Sequence, residues 1–437
     1  MSIKAFFTAI ALTPLLIAVT TPPTAAQSTL PAMPVSDAPI IDYQNRYLPA
    51  YGKAGMVVSP EQLAGEIGLE ILKQGGNAVD AAVATGFALA VTLPRAGNIG
   101  GGGFMLIHLA ETNEQIFIDY RETAPAAATP EMFLKEDGSV DQAKAYFSHQ
   151  AAGVPGTVAG LIHAQERYGK LTLKQVIQPA IDLADKGFET SLALHMSLSA
   201  RAERLAENAE AKRIYLQGGE IAPVPGTGIL VNNEMDDFAA KAGDANAYGL
   251  VQGEANTIAP GPRPLSSMTP TIVFKDGQPW LAASSPGGSL IITTVLQTLL
   301  NAMVFDMNIA AAVAAPRVHN QWMPDRTLVE PGISVDTQRI LEGWGHSLAT
   351  TRRTIGRSNS LMIDEGWMQG FADMRRPGGT SPPNNHHSPQ YREDTLGQAQ
   401  HPLGFCIIPQ LDQPSPPQPG HHERQQTQQR ARQRGYA

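Results

Sequence analysis

The sequence predicts a mixed α/β protein, with packed helices in its first half and antiparallel strands in its second, on the strength of three observations. Hydrophobic residues make up 43% of the 437 positions and charged residues only 16%, so the chain can bury a large core. Forty-one glycines (Gly 41) point to tightly wound structure with close backbone contacts. Helical periodicity runs to about residue 205, whereas after Glu220 turn-rich segments alternate with short strands. Length alone would allow two or three domains.

The first residues, Met1-Ser2-Ile3-Lys4, precede an apolar run over 5–19 and small residues through Ala25 and Ala26. A basic start, an apolar stretch too short to span a bilayer and a small-residue cleavage site make residues 1–26 an export signal, and the expected location is secreted or periplasmic with no membrane span after cleavage. From Ser59 a helix is expected, with Ser59 as N-cap, Pro60 in its first position and Gln62 completing a capping box. Gly75-Gly76 ends it, Asn77 caps a second helix over 78–91, and Pro94 stops that one; being apolar nearly all round, it belongs in the core. Gly100-Gly101-Gly102-Gly103 then leads into β-prone runs at 104–109 and 115–120. The run has no Walker lysine and precedes a strand instead of following one, so it is not a phosphate loop. Surface helices are expected between 157 and 205. Beyond them lie a strand at 228–231, a hairpin at 271–275 and 279–284 turning on Asp276-Gly277, a buried helix over 289–305, and a hairpin around Asp364-Glu365-Gly366. Residues 380–437, rich in Pro, Gln and Arg, read as a disordered tail, and His386-His387 and His421-His422 as part of its polar composition.

Composition excludes several functions. A net charge of −8 works against any sequence-independent grip on nucleic acid. One cysteine, Cys406, makes no internal disulfide, and no Cys/His spacing suits a structural metal. Neither a Gly-x-Ser-x-Gly elbow nor a Ser-x-x-Lys motif is present, so the familiar serine-hydrolase arrangements fail.

What remains is a set of polar clusters in apolar or Gly-rich surroundings: Asp119-Tyr120-Arg121-Glu122, Asn232 to Asp237, Ser266-Ser267, and Ser285-Pro286-Gly287-Gly288-Ser289. They suit a small zwitterion, whose carboxylate needs a cation and whose ammonium needs anions. Arg121 supplies a fork matched to a carboxylate, Glu234 and Asp237 supply the anions, and Ser266 and Ser267 supply hydroxyl donors. Gly287 and Gly288, at the start of a helix, offer backbone N–H groups to a substrate oxygen. Taken singly, each cluster also fits a purely structural role: Arg121 pairing with Glu122 or Asp119, a solvated turn at 232–237, a turn cap at Ser266-Ser267, a strand-to-helix loop at 286–288. Their joint occurrence is what points to a site.

Those clusters, in that order, resemble the γ-glutamyltransferases. Gly75 to Ala82, Gly100 to Met105, Tyr120 to Pro125 and Gly153 to Gly160 are similar to the family's large subunit; Asn232 to Phe238, Arg263 to Pro270, Ser285 to Ser289 and Asp373 to Pro377 are similar to its small subunit. Residues 40–220 are accordingly expected to be large-subunit-like and 221–379 small-subunit-like. The resemblance implies an N-terminal-nucleophile hydrolase, an αββα sandwich formed from a precursor that cuts itself before a threonine, whose hydroxyl then attacks a γ-glutamyl carbonyl. It places the α-carboxylate on Arg121, Ser266 and Ser267, the α-amino group on Glu234 and Asp237, and the oxyanion on Gly287 and Gly288. Glutathione or other γ-glutamyl compounds would be the donors, water, amino acids or dipeptides the acceptors, with no cofactor. Two further readings of the same clusters are a β-lactam acylase of this fold and a non-catalytic γ-glutamyl-binding protein.

The chain departs from the family at its centre. Ile214-Tyr215-Leu216, similar to sequence well before the cleavage point, runs within a few residues into Pro225-Gly226-Thr227-Gly228-Ile229-Leu230, similar to sequence after it. The threonine segment between them, with two central strands, is expected to be missing, leaving unpaired sheet edges and an exposed core face. Thr227 stands where the family has a turn and is not expected to replace the nucleophile, which stays unassigned.

Overall fold

The structure, a computed structural model, describes residues 47–96, 98–216, 232–246, 248–350, 354–375, 377–384 and 405–407. The export signal, the strand at 228–231, Thr227 and both histidine pairs lie outside the described residues.

The first half runs β1 (Ala50–Gly52), β2 (Gly55–Met56), α1 (Gln62–Lys73), α2 (Ala78–Thr92), β3 (Phe104–Leu109), β4 (Glu114–Asp119), α3 (Gln142–Phe147), α4 (Thr157–Tyr168), α5 (Leu173–Lys186), α6 (Leu192–Ser199), α7 (Ala202–Glu207) and α8 (Ala209–Tyr215). The second half holds β5 (Thr271–Lys275), β6 (Gln278–Ser284), α9 (Leu290–Met303), α10 (Ile309–Ala314), β7 (Val318–His319), β8 (Thr327–Val329), α11 (Val335–Gly343), β9 (Leu348–Thr350), β10 (Asn359–Asp364), β11 (Trp367–Ala372), β12 (Pro383–Asn384) and β13 (Phe405–Ile407). An antiparallel sheet of order β1-β11-β10-β6-β5 brings residues 50–52 beside residues 368–370, and a second, β13-β3-β4, carries the strands that follow the glycine run.

Each sheet has its own helical cover. In the first half Ile71 of α1, Val83 and Phe87 of α2, Leu161 of α4 and Val176 of α5 close over Met105 and Ile107 of β3. In the second, Ile291 and Val295 of α9 and Ile309 and Val313 of α10 pack on Leu281, Met362 and Phe371. The sheets meet where His108 of β3 sets its ring edge-on to Phe274 of β5, centroids 5.0 Å apart.

Local chemistry placed most elements correctly. Asn77 caps α2 in a full capping box with Asp80, and Asp276 and Gly277 both take the positive φ that a tight hairpin turn demands. The start of α1 differs: Glu61, not Ser59, is its N-cap, because the Ser59 backbone is engaged in an antiparallel bridge with Thr380. Helix α9 also differs, for it buries one face only. Ile292, Leu296, Leu300 and Met303, at helical spacing on its other face, are 41–51% exposed. Among the described residues β4 and β5 are end strands, and Phe117 on β4 is 56% exposed. Within the tail, β12 pairs with β2 and β13 pairs with β3; the rest of 380–437 lies outside the described residues. No helix among the described residues is long and apolar enough to cross a membrane.

Asp80 knots the first core together. Fully buried, its carboxylate accepts from the backbone N–H of Asn77 (2.7 Å), Lys170 (3.0 Å) and Leu171 (3.0 Å) and from the side chain of Gln165 (2.6 Å). Asparagine there would turn an amide donor toward other donors, so Asp80→Asn is expected to destabilise the chain by about 2–3 kcal/mol. Chemical denaturation checks this; an unchanged midpoint would contradict it.

Candidate active site

The side chain at the centre of the site is Arg121, which leaves the end of β4 and is 2% exposed. Its backbone N–H donates to Asp119 Oδ1 at 3.0 Å, so Asp119 shapes the turn and does not face the guanidinium; the Asp119 carboxylate pairs instead with Arg263 Nε at 3.1 Å. The guanidinium crosses to the other half of the chain. Arg121 Nη2 forms ion pairs with Glu234 and Asp237 and donates to the Leu265 carbonyl at 3.0 Å. Glu234–Asp237 is a single 3₁₀ turn, which puts both carboxylates on one side of the chain. Asn232 donates its amide to Glu234 and, at 3.2 Å, to Glu122, so a third acid, itself buried, is bound into the cluster. Burial of this kind is tolerated only when each charge is paired and hydrogen-bonded.

Arg121 is therefore in direct contact with Glu234 and Asp237, whereas from sequence Arg121 is expected on a ligand carboxylate and the two acids on its ammonium, with Glu122 or Asp119 as the structural partner of Arg121. Ser266 and Ser267 are half-buried and follow the Leu265 carbonyl that Arg121 holds; Ser266 Oγ accepts from Met268 N–H at 3.0 Å. Gly287 and Gly288 have φ of 139° and 56°, and the Gly288 carbonyl accepts from Ile291 at the start of α9. They connect to the Arg121 cluster through the 246–252 segment. Asn246 donates to the Asp236 carbonyl at 3.2 Å, Gln252 donates to the Asp237 carbonyl at 3.2 Å, and the Tyr248 ring lies so close to Gly288 that a Cβ added there would sit 2.3 Å from it.

Several residues of the site carried no pattern in sequence. Asn256 spans it, donating to the Asp237 carbonyl (2.7 Å) and accepting from Leu265 N–H (3.0 Å). Beneath the Gly287-Gly288 loop, Ser285 Oγ accepts from Arg357 N–H at 2.8 Å. The 355–358 stretch is in turn held by buried ions: Arg317 donates to the Ile355 carbonyl (2.8 Å), Glu330 accepts from Ile355 N–H (2.8 Å), and Asp373 accepts from Ser358 N–H (3.1 Å) while pairing with Arg317 at 2.9 Å. Arg375 closes this network on Glu330 at 2.7 Å. Asp373 and Arg375 thus have a structural place, whereas Arg317 and Glu330 could be recognised only in three dimensions. Among the described residues no cluster of three His, Cys, Asp or Glu side chains is arranged to hold a metal.

Two helix-covered sheets with this site at the end of a strand define an N-terminal-nucleophile hydrolase fold. Cephalosporin acylase from Bacillus halodurans superposes over 81% of this chain and all of its own, with a TM-score of 0.65 and 18% identity. The model of the gamma-glutamyltranspeptidase family matches residues 64–225 and 221–382, and the chain belongs to that family. It is 32% identical to the glutathione hydrolase proenzyme of Escherichia coli strain K12 over 545 residues, covering 77% of this chain and 94% of that relative. It is 37% identical to acylase ACY 1 proenzyme of Pseudomonas sp. strain SE83 over 233 residues, covering 51% of this chain and 41% of that one. The two stretches of the family match meet at residues 221–225. Since 77% of 437 residues is about 336, more than a third of the alignment with the Escherichia coli protein has no counterpart in this chain.

Burial raises the Asp237 carboxyl above its ordinary value, outweighing the pull of Arg121 in the other direction. The folded chain then holds this proton more tightly than the unfolded chain, so the stabilisation is complete below the ordinary value of 3.8 and is lost as pH rises through the folded pKa. The melting temperature of Asp237→Asn, relative to the parent, is expected to climb as pH is raised from about 4 to about 7. Parallel melting curves across that range would contradict the assignment.

Proposed function

We propose that this site binds the γ-glutamyl head of a small amide such as glutathione, and that the reaction it is built for is cleavage of the γ-glutamyl bond with transfer of the glutamyl group to water, an amino acid or a short peptide. The observation that carries the reading is a buried arginine faced by one buried acid, Glu234, and one partly buried acid, Asp237, with Ser266 and Ser267 following the Leu265 carbonyl that it holds. A zwitterionic α-amino acid matches both signs at once: its carboxylate takes the Arg121 fork with the two serine hydroxyls, and its ammonium takes Glu234 and Asp237. Gly287 and Gly288 are assigned to the γ-carbonyl oxygen, where backbone donors at the head of α9 stabilise developing negative charge. An acyl group without an α-amine has no use for the acid pair, which favours this reading over a β-lactam acylase. The N-terminal residues support export, with the periplasm as the site of action.

A second reading, binding without turnover, is favoured by the junction at 221–225. In this class of hydrolase a threonine freed by self-cleavage is both nucleophile and, through its own amine, base. The meeting of the two family stretches at 221–225 supports the absence of that threonine segment, and Thr227, which in sequence stands where the family has a turn, is not expected to replace it. The two-sided apolar surface of α9 and the exposed Phe117 support the same conclusion, since each reads as a layer that has lost its cover.

Calorimetric titration of glutathione, run beside a denaturing gel and a γ-glutamyl-anilide assay, tests both. Glutathione is expected to bind, and Arg121→Met is expected to weaken binding at least about tenfold, as when one partner of a buried charge pair is removed. No binding by the parent would overturn the γ-glutamyl reading. A single uncut band without released anilide supports the non-catalytic form, and two bands with turnover rule it out.

A further inference from the structure

The side chain of Gln321, just beyond β7, touches both sides of the Gly288 region. Its Oε1 accepts from Ser289 Oγ at 2.6 Å and faces His319 Nε2 at 3.0 Å; its Nε2 donates to the carbonyls of Tyr248 at 3.3 Å and Met323 at 3.2 Å. Chemistry fixes the orientation of the amide. The two carbonyls can only accept, so Nε2 must face them, and Oε1 must then receive both the Ser289 hydroxyl and an N–H from His319. His319 is thereby the Nε2–H tautomer, leaving Nδ1 to accept from the Thr293 hydroxyl at 2.8 Å. Burial lowers the His319 pKa, which keeps the ring in the neutral form that this pattern requires.

The amide therefore joins two elements that contact each other across Gly288. Ser289 follows Gly288 directly, and Tyr248 lays its ring against it. The turn that carries Tyr248 is bonded largely to itself. Asn246 Oδ1 accepts from Tyr248 and Leu250 N–H at 3.0 Å each, and Gly249 N–H donates to the Asn246 carbonyl at 2.9 Å. Such a turn keeps its own shape while its placement depends on ties to its surroundings, and Gln321 supplies one of them at the point nearest Gly288.

We propose that Gln321 is a positioning residue that holds Tyr248 against Gly288 and so sets the width of the pocket at its carbonyl-binding end. Its role toward substrate rests on the γ-glutamyl reading above; its hold on Tyr248 does not. Gln321 touches no substrate in this scheme and acts through the Tyr248 backbone and Ser289. Of the side chains in this hydrogen-bonded network, Ser289, His319 and Thr293 each have their proton committed elsewhere, so none of the three supplies the donation to the Tyr248 carbonyl.

Two variants of the full chain separate this role from simple packing. Gln321→Glu keeps an acceptor for Ser289 and His319 but loses the donor to Tyr248, whereas Gln321→Met loses both. Chymotrypsin cuts after tyrosine, so the rate of cleavage at the Tyr248–Gly249 bond, read by mass spectrometry, reports how firmly the turn is held. Loss of one hydrogen bond is expected to speed that cleavage about 5-fold in both variants, without matching acceleration at other sites. Saturating glutathione is expected to protect the bond in the parent and to protect it less in both variants. Unchanged cleavage at Tyr248 in Gln321→Glu would overturn the proposal, as would acceleration spread evenly over the chain. Failure of glutathione to protect the parent would count against the γ-glutamyl reading instead, whatever the variants do.

Discussion

The ion cluster on Arg121 is the contact on which the rest of the site depends. A guanidinium at the end of β4 reaches acids more than a hundred positions away, and it does so buried. Without Glu234 and Asp237 the cation would be stranded in a medium that cannot solvate it, and without the cation the 232–237 turn would crowd several buried carboxylates together. The pairing thus ties β4 to the 232–237 turn, and other parts of the site are placed relative to it: Leu265 by direct contact, the 246–252 segment through the Asp236 and Asp237 carbonyls, and Gly288 through Tyr248. The groups paired with one another here are those assigned to a zwitterion in the proposed reading, in which binding would exchange one set of pairs for another.

A second buried network, Arg317–Asp373 with Glu330 and Arg375, does comparable work beneath the Gly287-Gly288 loop. Its donors and acceptors bond backbone groups of 355–358 and the C-terminal end of α10. The two networks differ in what they hold. One fixes the 355–358 stretch beneath the glycine loop, and the other is the cluster to which ligand recognition is assigned in the proposed reading. Both networks lie in a chain that the family model matches in two stretches, residues 64–225 and 221–382.

What the sequence revealed followed from how local each signal was. The Asn77 cap and the Asp276-Gly277 turn depend on a few neighbouring residues, and both were legible. Arg121, Glu234 and Asp237 were legible because charges set in apolar or Gly-rich runs are conspicuous. Asn256, Tyr248, Gln321, Arg317 and Glu330 were not, since each is an ordinary residue in a turn or strand end whose partners are distant in sequence. The start of α1 was misplaced for the same reason: Thr380, far along the chain, takes the Ser59 backbone. Helix α9 read as buried because it is rich in Leu and Ile, and sequence cannot show that only one of its faces is covered. In the polar tail, the short apolar run around Phe405 was the one trace of β13, too brief to read as a strand.

The most direct test of this account is a double-mutant cycle on ligand-free protein, combining Arg121→Met with Glu234→Gln and Asp237→Asn and measuring unfolding free energies. If the two halves are held together by the buried ion cluster, the cation and its acids should couple by at least about 2 kcal/mol, so that removing both together costs much less than the separate losses combined. Additive losses, with coupling near zero, would mean that Arg121 and the acids stand independently and that the site is organised by something else.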